Sequence, residues 1–298
     1  MNKAYRGQVQ LLLDVLPIVA KEKCFALHGG TAINLFVREM PRLSVDIDLT
    51  YIHIADREQS LGAINAALQQ IGDRITALRA SIQVEHKPGV CRLLLNERGV
   101  QIKIEVNMVG RGLLSESAQM PLCEAAQDQF EVFCAVPVVS LAQLYGGKLC
   151  AALDRQHPRD LFDVKLLLAN EGLTDDIRRG LLYGLISSNR PTHELLQPNL
   201  LDQRGAFDNQ FVGMTTEPFS YEDFEVTRER LIQDIRAGLS ASDRAFLIAF
   251  NRLDPDWSEN PWGEFPSVRW KLQNLANLRE SNEAKYREQL EQLQQLLK

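Results

Sequence analysis

No stretch of this chain approaches the ~20 consecutive apolar residues that a membrane-crossing helix requires, so nothing in the sequence calls for a membrane. The opening Met1-Asn2-Lys3-Ala4-Tyr5-Arg6 lacks the apolar core and small-residue cleavage site of a signal peptide, and a cytoplasmic location is expected. Five cysteines, Cys24, Cys91, Cys123, Cys134 and Cys150, form no C-x-x-C pair and are odd in number. That argues against a zinc ribbon and against a complete disulfide framework. Also missing are a G-x-x-x-x-G-K-[ST] loop, a G-x-G-x-x-G fingerprint and a G-x-S-x-G elbow, which leaves P-loop, dinucleotide-binding and hydrolase readings without a motif. Excess positive charge is absent too. A net charge of -6 disfavours a nucleic-acid binder that works by bulk electrostatics, while a local basic cleft on an acidic body stays compatible with it.

What is present is enough apolar material for a large core: 45% of the 298 residues are hydrophobic, and the length suits two domains. The first half reads as strands gathered around a few helices. An entry helix spans Gln8 to Ala20, a strand Cys24 to His28, a helix Ala32 to Glu39, a strand Ser44 to Ile52 and a helix Arg57 to Leu78. Strands then alternate over Ser81 to His86, Val90 to Asn96 and Val100 to Met108, separated by the turn-forming Lys87-Pro88-Gly89 and Glu97-Arg98-Gly99, and Phe130 to Val139 is a further β-prone run. From Ser140 the pattern turns helical, and the final stretch from Val268 to Leu297 reads as one long amphipathic helix. The expected architecture is α+β: a mixed-sheet domain over residues 1–139 and a mainly helical domain over residues 140–298.

Within the first half, two segments carry chemistry. Phe25-Ala26-Leu27-His28-Gly29-Gly30-Thr31 ends an apolar strand in a glycine turn, with Thr31 as the expected cap of the next helix. A helix starting there would offer backbone N–H groups to a phosphate. In Arg42-Leu43-Ser44-Val45-Asp46-Ile47-Asp48-Leu49, the period-two alternation buries Val45, Ile47 and Leu49 and brings Asp46 and Asp48 out on one face. Gln101-Ile102-Lys103-Ile104-Glu105-Val106-Asn107 repeats the pattern, so Glu105 completes a carboxylate triad if the two strands are neighbours. Three oxygen ligands without a cysteine or histidine set suit a hard divalent cation such as magnesium. The alternative is a half-exposed charged strand face.

Later, Lys148 falls on the apolar stripe of a helix through Leu141, Leu144, Tyr145 and Ala152, where an ammonium needs an anionic partner. A nucleotide triphosphate would serve; a lysine snorkelling at the stripe's edge is the bland alternative. Asp160 and Asp163 lie three apart on the following helix, after Arg155, His157 and Arg159. His28 reads as a structural residue at a strand end.

Taken in order, "HGGTAIN…PRLSVDIDLTY", "IKIEVN", "GGKLCAALDR" and "HPRDLFDVKLLL" resemble the AbiEii/AbiGii toxin family, nucleotidyltransferases of the polymerase-beta-like superfamily found in type IV toxin–antitoxin pairs. The resemblance covers about Phe25 to Leu168. It implies a polymerase-beta-like first domain, an NTP substrate and an acceptor hydroxyl, with the 3′ end of a tRNA as acceptor, translation blocked, a role in phage defence, and an antitoxin that need not touch the toxin. Lys148 and Asp163 match the family's late lysine and aspartate, with Asp160 as the fallback. The expected mechanism has two magnesium ions on Asp46, Asp48 and Glu105. Phosphate would be cradled by Gly29, Gly30 and Thr31 with Ser44 beside them, Lys148 would neutralise the triphosphate, and Arg42, Arg155, Arg159 and Asp160 would contact the acceptor. Modification of a small molecule or a protein, or a D-x-D glycosyltransferase, are the competing readings.

Overall fold

Val9, Leu12, Leu13 and Leu16 recur at helical spacing near the start of the chain, and all four are buried along α1 (Lys3–Val19). The structure is a computed structural model that describes residues 3–298. It divides into two units, Met1–Ser140 with Phe211–Pro218, and Leu141–Gln210 with Phe219–Lys298.

In the first unit, α1 is followed by β1 (Phe25–His28), then α2 (Gly29–Ala32), which runs into a π-helical stretch over Ile33–Val37. Next come β2 (Asp46–Tyr51) and α3 (Arg57–Leu78), the latter started by Asp56, whose carboxylate accepts the N–H of Gln59. β3 (Gln83–Lys87), β4 (Arg92–Glu97) and β5 (Val100–Val106) form a meander. Its second turn is Arg98-Gly99, both at positive φ (53° and 85°), the primed geometry that matches strand twist. β6 (Ala118–Pro121), α4 (Glu124–Phe130) and β7 (Ala135–Val138) complete the unit's elements. The sheet has the order β3-β4-β5-β2-β1-β7-β6. Parallel pairing of β2 with β5 and of β1 with β7 sits among antiparallel neighbours, so the sheet is mixed and the α+β class holds.

One face of the central strands is apolar. Ile47, Ile104 and Leu93 stand in one row across β2, β5 and β4, all fully buried. Each such side chain contributes about 1.5–3 kcal/mol by leaving water. A slip of one residue in β2 would send Asp46 and Asp48 into that core, which fixes the register and with it the carboxylate face.

The second unit is helical: α5 (Leu141–Arg155), α6 (Pro158–Asn170), α7 (Asp175–Ser187), α8 (Thr192–Leu196), α9 (Arg204–Gln210), α10 (Tyr221–Gly238), α11 (Ala241–Asn251), α12 (Pro266–Ser281) and α13 (Glu283–Leu296). α5 and α7 cross backbone to backbone. A Cβ on Gly180 would stand 1.8 Å from the Ala142 carbonyl oxygen, so only glycine permits this approach.

Three local expectations are corrected. The helix after the glycine turn starts at Gly29, not after Thr31; Gly29 takes φ +76° as the chain turns out of β1, and Thr31 does not cap the helix. Residues 118–121 form an edge strand, and the apolar run at Phe130 opens as the end of α4 before β7 begins. Between α7 and α10 lie the short α8 and α9, and α10 starts at Tyr221 behind a Ser220–Asp223 capping box. The tail is two helices, broken at Asn282, whose side chain caps the second.

Candidate active site

Strand register builds a row of polar side chains on the face opposite the apolar core. Reading across β4, β5, β2 and β1, Arg92 pairs with Glu105, Glu105 with Asp48, and Asp48 with His28. One step along, Lys103 lies opposite Asp46. The two aspartates and Glu105 thus share a face, as the alternation along β2 and β5 requires. Arg92 Nη2 is 2.9 Å from Glu105 Oε2; Lys103 Nζ is 3.3 Å from the same oxygen and 3.7 Å from Asp46 Oδ2. Burial alone would raise the Glu105 carboxyl, but the hydrogen bond from Arg92 and the charge of Lys103 outweigh it and hold the group below its usual range. An open cleft of about 400 Å³ lies here, lined by His28, Asp48, Arg92, Glu105 and Asn107 among others.

The glycine turn abuts this row. A Cβ on Gly29 would fall 2.5 Å from Asp48 Oδ2, and one on Gly30 would fall 2.8 Å from Arg42 Nη2 and 3.0 Å from Ser44 Oγ. Side chains at either position would displace the groups around the carboxylates. Thr31 is fully buried, its hydroxyl 3.0 Å from Ser44 Oγ and donating to the Asp46 carbonyl. Instead of capping a helix it ties the turn to the start of β2. Arg42 is buried as well and donates to the Leu43 carbonyl at 2.9 Å, so its guanidinium is held inside the unit.

Whether this face fits a divalent metal depends on where the oxygens point. Among the described residues no three histidine, cysteine or acidic side chains converge as a metal cage. Glu105 is held by Arg92 and Lys103, and Lys103 also reaches Asp46 at 3.7 Å, while Asp46 and Asp48 stand together on one face of β2. Magnesium is commonly held by one or two carboxylates completed by water and phosphate oxygens, and Asp46 with Asp48 fits that donor set.

The second unit holds a separate ion cluster. Lys148 Nζ lies 2.9 Å from Asp160 Oδ1 and 2.9 Å from Asp163 Oδ2, with all three side chains buried. The anionic partner that its place on an apolar stripe demands is thus supplied by both late aspartates. Arg155 grips Asp160 with Nε at 2.6 Å and Nη2 at 3.0 Å. Burial opposes ionisation of Asp160, yet Lys148 and Arg155 together drive its carboxyl far below the usual range. His157 caps α6, its Nδ1 accepting the Arg159 N–H, and Arg159 is half-buried on the first turn.

Arg92 and Lys103 are not among the site residues expected from the sequence. The available signal was the alternation that puts Lys103 and Glu105 on one face; the partnership with Arg92 needs the β4–β5 register.

The model of the AbiEii family, described as the nucleotidyl transferase AbiEii toxin of a type IV toxin–antitoxin system, matches residues 10–274. The chain belongs to the AbiEii nucleotidyltransferase toxin family. As an AbiEii protein it is an enzyme, and the glycine turn, the carboxylate strands and the Lys148 cluster all lie inside the matched span. Among solved structures the fold is similar to MenT4, a nucleotidyltransferase toxin from Mycobacterium tuberculosis H37Rv, with a TM-score of 0.61 and 16% identity, over 90% of this chain and 92% of that one. A search of curated proteins gives no match. Among the described residues of this AbiEii chain, no helix is long and apolar enough to cross a membrane.

Proposed function

We propose that this AbiEii enzyme is magnesium-dependent and transfers a nucleotide from an NTP to the 3′-terminal hydroxyl of tRNA, which blocks translation. The observation that carries the chemistry is the Asp46–Asp48 pair on an open sheet face, directly against a glycine turn whose missing Cβ leaves room for the Asp48 carboxylate. The acceptor oxygen forms a bond to the α-phosphorus as the bond to the leaving pyrophosphate breaks, and the hydroxyl proton passes to water. A divalent ion on Asp46 and Asp48 would make that hydroxyl more acidic and screen the phosphate charge. Backbone N–H groups at Gly29 and Gly30 bind phosphate, with Ser44 and Thr31 holding the turn. On the second unit, Asp160 and Asp163 together hold Lys148, the cation assigned to phosphate, while Arg155 and Arg159 contact the acceptor RNA.

The test is to incubate the purified chain with labelled NTPs, total tRNA and magnesium and to ask what carries label. Label at the tRNA 3′ end, lost on addition of a chelator and in Asp46→Ala, is expected. Label on a small molecule or a protein in place of tRNA would move the acceptor to that class, and transfer that survives Asp46→Ala would overturn the site.

A further inference from the structure

An ammonium stands between two of the carboxylates. Lys103 Nζ reaches Glu105 Oε2 at 3.3 Å and Asp46 Oδ2 at 3.7 Å, and Arg92 Nη2 holds the same glutamate oxygen at 2.9 Å. The position is set by the backbone, since Lys103 is opposite Asp46 in the β2–β5 register and two residues from Glu105 on one strand. An ion bridging Asp46 and Glu105 would need the space that this ammonium fills. Charge points the same way. Lys103 and Arg92 already bring two positive charges to the side of Asp46 and Glu105, which weakens the pull of that side on a second divalent ion. With 36% of its side chain exposed, Lys103 also remains within reach of a ligand in the cleft.

We propose that Lys103 takes the place of the second metal ion, so that this face binds one divalent ion on Asp46 and Asp48 while the ammonium supplies the other positive charge beside Glu105. The inference rests on the metal-dependent reading above and departs from a two-ion site. Two ions in one such site stand roughly 3.5–4 Å apart, close enough for two Mn²⁺ to couple magnetically.

The experiment titrates Mn²⁺ into the full chain in the presence of each of the four α,β-methylene nucleoside triphosphates and records electron paramagnetic resonance spectra. Wild type is expected to give one Mn²⁺ per complex with a mononuclear signal. Lys103→Met should admit a second ion and show a coupled spectrum with at least one nucleotide, and Lys103→Arg, which keeps the charge, should return to one. A coupled two-ion signal in the wild type, or a Lys103→Met variant that stays at one ion, would overturn the inference and leave the metal site itself standing. Asp48→Asn separates the two claims. If wild type binds no more Mn²⁺ than Asp48→Asn does, the metal reading fails and this inference falls with it.

Discussion

The carboxylate of Asp48 lies against the backbone of Gly29 so closely that a single added Cβ would stand 2.5 Å from its Oδ2. The same glycine adopts φ +76°, a conformation that side chains resist. Two independent constraints therefore meet at one residue, and both act on a carboxylate of the site.

Gly29→Ala should therefore lose activity by more than its fold suffers. The positive φ costs about 1–3 kcal/mol, a drop visible in the thermal midpoint, while displacement of Asp48 removes transfer. Gly30→Ala, at ordinary φ, should move Arg42 and Ser44 and lower the rate with a smaller loss of stability. Wild-type turnover in Gly29→Ala would show that the Asp48 position does not matter.

Asp46→Asn and Asp48→Asn should each cut transfer by about 100-fold or more, the scale seen when one charge-stabilising group leaves an active site. Both groups are half-buried on a polar face, so unfolding free energies should change by only about 0.5 kcal/mol. Steady-state rates and chemical denaturation measured on the same preparations check the two halves.

Lys148 should be as much a matter of stability as of rate. Its removal leaves Asp160 and Asp163 buried without that cation, and breaking a buried pair by deleting one member costs roughly 3–5 kcal/mol. Lys148→Met should be strongly destabilised, and the companion Lys148→Met/Asp163→Asn less so than the sum of its parts. Additive losses in a double-mutant cycle would mean that the two side chains act independently.

Asp160 gives that cluster a pH signature. Because its carboxyl is held far below its ordinary value in the folded chain, its stabilising effect is present above the unfolded value of about 3.9 and is lost as pH falls toward the folded one. Unfolding free energy of the wild type should therefore drop below pH 4 more steeply than that of Asp160→Asn. Parallel profiles for the two proteins would show that Lys148 and Arg155 do not favour the ionised form.

RNA binding should depend on salt in spite of the net charge of -6, since each phosphate neutralised by a local cation releases counterions. Arg159→Ala should lower the slope of log affinity against log salt by about one. It is a cleaner probe than Arg155, whose removal also strips a bidentate partner from buried Asp160. A flat wild-type profile would count against a tRNA acceptor.

The carboxylate pair was legible because a strand has a period of two, and Val45, Ile47 and Leu49 left Asp46 and Asp48 only one side to occupy. Glu105 was legible as a face, not as a partnership: its hold on Arg92 depends on β4–β5 pairing, which no local pattern encodes. Thr31 misled for a physical reason. A threonine before an apolar run is the usual sign of a helix start, but here the helix already begins at Gly29 and the Thr31 hydroxyl binds β2. The long tail helix failed at Asn282, where apolar spacing continues on both sides of a residue that prefers to cap.

Residues 211–218, which return to the first unit, have a consequence in time. Leu43 donates to the Met214 carbonyl and the Thr215 hydroxyl donates to the Pro41 carbonyl, across 174 residues of chain, just ahead of the strand that carries Asp46. At about 5–20 residues per second, a ribosome needs on the order of 10–30 s to deliver that clasp after Pro41 has been made. During this interval the nascent sheet carries its carboxylates without the segment that fastens the approach to them. An AbiEii chain interrupted before residue 211 would hold every motif of the carboxylate face and still lack the piece that locks it.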